Sequence, residues 1–273
     1  MTLGVVVAGA TGWVGRALVP AITGSADLSL AAAVARSAAG QDAGEAAGVA
    51  AVGVTIVATL EEALSVPSGV VVDYTLPGSV MGHTLMALEH RRHVVIGTSG
   101  LSAEDYADID RAAVSAGLGV FAAGNFSITA TLLKRFALMA ADYVADVEII
   151  DYASAGKPDA PSGTARELAE ALAEKRMAPT SKPVADTMGL RDARGAAVGG
   201  GIPVQVHSLR LPSYVIGCEA IFAAPDERLT IRHDAGTSAA PYVAGTLMAI
   251  RKVGERAGLR RGLDSLMAAD TVR

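Results

Sequence analysis

The sequence predicts an α/β protein: a Rossmann-like, doubly wound parallel sheet, then a C-terminal α+β substrate domain with a mixed or antiparallel sheet. Three observations predict it. Short β-branched runs alternate with helix-like stretches through the first half, the pattern of parallel strands buried on both faces. The run VVVAGATGWVG places Gly9, Gly12 and Gly15 between the first strand and the first helix. Beyond Pro203, strand-like runs follow one another across short turns, as antiparallel neighbours do.

The first half reads as strand Val5–Val7, a helix from Trp13 to Ile22, strands at Leu28–Val34 and Val70–Val72, and a helix from Pro77 to near His90. Strands at Val94–Ile96 and Val120–Phe121 flank a helix from Ser102 to Ala116; Ser102 can cap it, and Glu104 and Asp105 suit its first turn. After Asn125 come a helix from Ser127 to Ala141, a strand at Val147–Ile150, a helix from Thr164 to Lys175 and a polar, glycine-rich loop from Gly195 to Gly201. Strands at Pro203–Leu209, Tyr214–Phe222 and Arg228–His233 precede a last helix from Tyr242 to Ala257. That helix is too amphipathic to stand alone and is expected to pack on the first domain. The expected domains are therefore 1–125, 126–238, and a C-terminal helical segment, 239–273, returning to the first.

A chain of 273 residues with a formal net charge of −5 and no basic cluster has no electrostatic pull toward nucleic acid or anionic lipid. Its single cysteine, Cys218, can form neither an internal disulfide nor a thiolate metal site and reads as a small buried hydrophobe. The first fifteen residues lack the basic leader of a signal peptide, and the uncharged stretch Ala46–Leu60 is too short to cross a bilayer. These observations predict a soluble, cytoplasmic protein that binds no nucleic acid, membrane or metal.

The glycine trio suits a dinucleotide: a tight turn, close backbone approach to a pyrophosphate, and an anion on the free N–H groups of a helix start. Gly9, Thr11, Gly12, Trp13, Val14 and Gly15 are the expected contacts. At the end of the second strand stand Arg36 and Ser37, with no carboxylate to hold the ribose of NAD(H). A guanidinium and a hydroxyl there favour the 2′-phosphate of NADP(H), with NAD(H) as the alternative. Two further loops, DYTLPG (Tyr74, Thr75) and GTSG (Gly97, Thr98, Ser99), end predicted strands, where open α/β sheets bind ligands.

The run KPDAPSGTARE carries the second site. Ser162 or Thr164 can cap a helix, with Thr164 and Glu167 spaced as a capping box. Gly163 leaves room for a ligand against exposed N–H groups, and Lys157 adds positive charge. Together they make a carboxylate cradle. A purely structural cap would explain the serine and threonine but would not require Lys157, Asp159 and Gly163.

With these motifs in place, the chain resembles the dihydrodipicolinate reductase family nearly end to end, through Gly9–Gly15, DYT at Asp73, IGTSG at Ile96, GNFS at Gly124, EII at Glu148, KPDAPSGTA at Lys157 and ERLTIRHDA at Glu227. The resemblance implies a Rossmann-like cofactor domain, a substrate and oligomerisation domain, and a homotetramer, with a homodimer as the smaller alternative. It also implies that Lys157, Ser162, Gly163 and Thr164 hold a substrate carboxylate. Asn125 to Ser127 would lie at a hinge facing the nicotinamide, with Gly124, Asn125 and Phe126 as cofactor contacts.

The chain departs from that family at two places. A tandem histidine pair, the first usually the proton donor and the second a ligand of the dicarboxylate, is replaced by Ala153 and Ser154, and a basic position before Lys157 is Gly156. An arginine usual after RHDAG is also absent. Neither alanine nor serine is an acid near neutral pH. His83, His90 and His93 read as solvated or capping residues, whereas His207 and His233 fall on substrate-domain strands. Tyr152, Lys157 or ordered water are then the candidate proton donors, with Tyr152 and Lys157 as the catalytic candidates.

The expected activity is NADPH-dependent reduction of a cyclic imine or enamine carboxylate, of the diaminopimelate and lysine biosynthesis type, with a small-molecule carboxylate as partner. The alternatives are an NADP-dependent dehydrogenase of an amino or hydroxy acid, and a non-catalytic NADPH-binding or sensing protein.

Overall fold

A computed structural model describes residues 2–267. They form two compact units, one of residues up to 128 together with those from 239 onward, the other of residues 129–238.

In the first unit the chain runs through β1 (Leu3–Ala8), α1 (Gly15–Thr23), β2 (Leu28–Val34), α2 (Ala43–Ala47), β3 (Ile56–Val57), α3 (Leu60–Leu64), β4 (Val70–Asp73), α4 (Pro77–Glu89), β5 (His93–Ile96), α5 (Ala103–Ala116) and β6 (Gly119–Ala122). Next come α6 (Ile128–Ala140), β7 (Asp146–Ala153), α7 (Gly163–Lys175), β8 (Ala196–Val198), β9 (Val204–Arg210), β10 (Ile216–Ala224) and β11 (Glu227–Ala235). The chain returns to the first unit with α8 (Ala240–Lys252) and β12 (Gly258–Arg261).

The first sheet has seven strands in the order β12-β6-β5-β4-β1-β2-β3, and every pairing is parallel. The chain order reverses between β1 and β4, and such a switch point opens a crevice at the strand C-termini. Val5, Val7 and Val72 pack into one core with Leu18, Ile22 and Phe121, whereas Val6, Val71 and Val94 pack into another with Leu88 and Ile109. Both faces of these strands are therefore dry, which is why they read as unbroken apolar runs.

The second sheet is mixed, in the order β11-β10-β7-β9-β8. β7 runs parallel to β9 and antiparallel to β10. Leu168, Ala169 and Leu172 of α7 pack on Val147, Ile149, Val206, Ala220 and Phe222. Successive residues of a strand point to opposite faces, so Asp151 shares the α7 side with Val147 and Ile149, and Tyr152 leaves on the other.

Several elements differ from expectation. The stretch Ala46–Leu60, where no element was expected, holds the end of α2, β3 and the first residue of α3, and, as expected, no described helix is long and apolar enough to cross a membrane. The glycine-rich loop contains β8, whose three residues pair with β9. The last helix stops at Lys252, a turn follows at Val253–Glu255, and β12 then pairs with β6, so the returning segment is part strand. Helix α1 begins at Gly15 rather than Trp13, because residues 9–14 form the turn described next.

Candidate functional site

The turn after β1 is built by backbone crowding. Gly9 has φ of +85°, and a Cβ on it would lie 2.4 Å from the Tyr74 carbonyl oxygen. A Cβ on Gly15 would lie 2.1 Å from the Gly9 oxygen. Gly12 donates its N–H to that same oxygen at 2.9 Å. Val14 is the N-cap of α1 and offers no side-chain bond, and the Arg16 and Ala17 N–H groups donate to the Gly12 and Val14 carbonyl oxygens, both at 3.0 Å.

A cavity of about 890 Å³ opens beside this turn. Its wall includes Gly9, Thr11, Gly12, Trp13, Arg36, Ser37, Tyr74 and Thr75. Val14, Gly15, Gly97, Thr98, Ser99, Gly124, Asn125 and Phe126 do not line it. Val14 and Gly15 are buried at the start of α1, and Gly97 lies on the Tyr74 ring, where a Cβ would come within 2.1 Å of Cε1. Phe126 packs edge-on against Phe121 and beside Tyr74, with centroids 5.8 and 5.9 Å away. Arg36 and Ser37 are exposed at the end of β2, and no carboxylate is bonded to Arg36 among the described residues. The close-approach glycines and the cavity beside them, with the Arg36 guanidinium on its wall, suit a nicotinamide dinucleotide.

Sequence reasoning missed the far wall, formed by Thr59, Leu60 and Glu61 and by Leu76, Ser79, His83 and Met86. It also missed the residue that ties the loops together. Asp73, wholly buried, accepts Thr75 N–H at 2.8 Å, Thr75 Oγ1–H at 2.6 Å and Thr98 Oγ1–H at 3.0 Å on one oxygen, and meets His83 Nδ1 at 2.7 Å with the other. Burial alone would raise this carboxyl, but the His83 and Thr75 hydrogen bonds hold it below the usual carboxylate range. His83 is thus neither solvated nor a cap; it stands in the cavity wall. His90 does cap α4, and His93 accepts the Gly119 N–H at 2.9 Å.

In the second unit, Ser162 caps α7 by accepting the Ala165 N–H, and its own N–H goes to Asp151 Oδ2 at 2.9 Å. The expected capping box of Thr164 with Glu167 does not form. Ser162 takes the cap two residues earlier, and Glu167 bonds Lys134 at 2.8 Å instead. Gly163 is exposed, and a Cβ built on it meets nothing within 4 Å. Packing therefore does not require glycine there, whereas a ligand lying on the helix start would. Lys157 Nζ lies 2.7 Å from Asp159 Oδ1.

Tyr152 is not brought to this cradle. Its hydroxyl donates to Glu219 Oε2 at 2.9 Å, and the Arg232 guanidinium lies 4.5 Å above its ring. Burial, with the Glu219 bond second, pushes the phenol up to about 12. Among the other groups, His207 bonds Glu148 at 2.8 Å, and His233 stands opposite Cys218 in the β10–β11 ladder, where burial lowers its pKa. Cys218 is buried as expected, and burial pushes its thiol up to about 12. Ala153 is buried, and Gly156 is exposed. No group of three or more metal-ligating side chains occurs among the described residues.

Comparison with known proteins gives a consistent result. Residues 3–126 match the model for the dihydrodipicolinate reductase N-terminus, and residues 127–267 match that for its C-terminus. A 4-hydroxy-tetrahydrodipicolinate reductase of Picosynechococcus sp. is 40% identical over 96% of this chain and 97% of its own. Another, from Cyanothece sp., is 39% identical over the same shares. A solved structure described as dipicolinate-bound dihydrodipicolinate reductase from Paenisporosarcina sp. superposes with a TM-score of 0.83 at 31% identity, covering 97% of this chain and 99% of that one.

Proposed function

Because the chain belongs to the dihydrodipicolinate reductase family, we propose that it reduces a cyclic imine or enamine carboxylate, with the dihydrodipicolinate-type substrate of diaminopimelate and lysine biosynthesis as the reference compound. It is an NAD(P)H-dependent oxidoreductase, and NADP(H) is the cofactor we assign over NAD(H). The nicotinamide, when bound, supplies a hydride.

The observation that carries this reading is the open start of α7. Gly163 has space for a ligand, Ser162 fixes the cap, and Lys157 adds a cation. Gly163 and Thr164 with Lys157 bind a carboxylate there by charge-assisted hydrogen bonds and helix polarity. In the first unit, residues Gly9 to Gly15 take the pyrophosphate, and Arg36 and Ser37 take the 2′-phosphate. Tyr74, Thr75, Gly97, Thr98 and Ser99, with Gly124, Asn125 and Phe126, shape the nicotinamide half. The orienting of substrate is the larger part of the catalysis, since positioning outweighs a proton donor's contribution of about 10²–10⁴-fold.

With Ala153 and Ser154 in place of imidazoles and Tyr152 bound to Glu219, we assign proton delivery to Lys157 or to water held beside it. The protein acts in the cytoplasm as a homotetramer or homodimer, which light scattering of the purified chain measures. A panel of cyclic imine carboxylates, including dihydrodipicolinate, assayed by NADPH oxidation tests the reading. Turnover that falls about 10²-fold or more in Lys157→Met supports it; no turnover of any member overturns it. Ala153 and Ser154 also favour a second reading, a ligand-sensing homologue, which predicts NADPH and dicarboxylate binding without oxidation.

A further inference from the structure

We infer that Asp151, Arg210 and Asp159 form a clamp that holds the Lys157 ammonium in place before a carboxylate arrives. The inference rests on the reading of the α7 start as a carboxylate site. Its root is the buried Asp151, whose Oδ2 accepts Ser162 N–H, Ser208 Oγ–H at 3.0 Å and Arg210 Nη2–H at 2.7 Å, while Oδ1 has no partner. The carboxylate is therefore fixed through one oxygen to both the α7 cap and Arg210.

Arg210 carries the connection outward. Nη2 also donates to the Asp159 carbonyl at 2.7 Å, Nε donates to the same oxygen at 3.3 Å, and Nη1 donates to the Leu209 carbonyl at 2.8 Å. A planar guanidinium bound at all three nitrogens has one orientation. The Asp159 backbone is thus pinned, and its side chain reaches Lys157 Nζ at 2.7 Å. Asp159 is about half exposed, and an ion pair so exposed contributes little to folding. Its effect falls on the lysine, whose long side chain would otherwise lose rotamer freedom when a ligand binds.

The test uses the full chain with two readouts. Calorimetry with pyridine-2,6-dicarboxylate in saturating NADPH measures the cradle. Acetylation of Lys157 by an N-hydroxysuccinimide ester, followed by mass spectrometry without ligand, measures the lysine itself. Asp159→Asn is the main variant, since its side chain lies at the surface; Arg210→Met and the double variant complete the cycle. Asp159→Asn is expected to weaken dicarboxylate binding about 3–10-fold, to speed Lys157 acetylation, and to leave NADPH affinity and Tm unchanged. Arg210→Met is expected to add nothing to it in the double variant. Unchanged acetylation and affinity, tighter dicarboxylate binding, or fully additive losses would overturn the clamp. A parent protein that binds no dicarboxylate sinks the carboxylate reading, while the acetylation rates still judge the clamp.

Discussion

Tyr152 and Glu219 are diagonal neighbours on one face of the second sheet, and the phenol donates to the carboxylate at 2.9 Å. The bond spans β7 and β10 and is flanked by Arg232, which stands opposite Glu219 on β11. Such a proton is held by a structural acceptor. Tyr152→Phe is therefore predicted to cost about 0.5–1.5 kcal/mol of stability in urea unfolding. Turnover should stay within about threefold of the parent, because no donor that touches substrate is lost. A collapse of kcat with intact Tm would make Tyr152 the acid.

The assignment of Arg36 to a 2′-phosphate predicts the cofactor preference. Removing one charged hydrogen-bond partner of a phosphate costs about 1.5–3 kcal/mol, so Arg36→Ala is expected to raise KM for NADPH about 10–100-fold. KM for NADH should change little. Steady-state kinetics with both cofactors measure the ratio, and a parallel loss for both would remove Arg36 from the 2′-phosphate.

Gly97 has no spare volume. A methyl there would enter the Tyr74 ring, whose hydroxyl is held by Thr246 at 2.7 Å. Gly97→Ala is predicted to destabilise by about 1–3 kcal/mol and to weaken NADPH binding. Wild-type Tm and affinity would show that the ring yields freely.

Asp73 links pH to stability. Its folded pKa lies below its ordinary value, so its contribution is complete above the unfolded pKa of 3.8 and fades as pH falls through the folded value. Asp73→Asn is expected to lower stability at pH 7 by about 2–4 kcal/mol. The penalty should shrink as pH falls below 3.8 and through the lower folded value, where the parent also loses its charge. A penalty constant from pH 3 to pH 7 would mean that the charge is irrelevant.

Five strands of the first sheet, β1, β2, β4, β5 and β6, were legible because burial on both faces leaves short, unbroken apolar runs. The turn between β1 and α1 followed from the position of Gly9, Gly12 and Gly15. The start of α7 was legible because its capping residues are contiguous, from Ser162 to Thr164. What stayed hidden depends on tertiary pairing. Asp73 with His83, and Asp151 with Arg210, are joined across elements, and nothing in DYTLPG or SLRLP announces a partner. β12 was hidden for a related reason: GLRR has no strand-like periodicity and becomes a strand through its pairing with β6. The capping box failed because two adequate caps lay two residues apart, and Asp151 selected Ser162 by binding its N–H.

The pairing of β12 with β6 has a consequence for biosynthesis. The inserted residues 129–238 leave the ribosome as a continuous stretch with their own core and are free to settle early. The nucleotide-binding unit must wait. Its edge strand and α8, which anchors Asp27 through Arg251, are translated after the insertion. Nascent chains arrested before residue 239 should therefore shield the later half from protease while the earlier half stays sensitive.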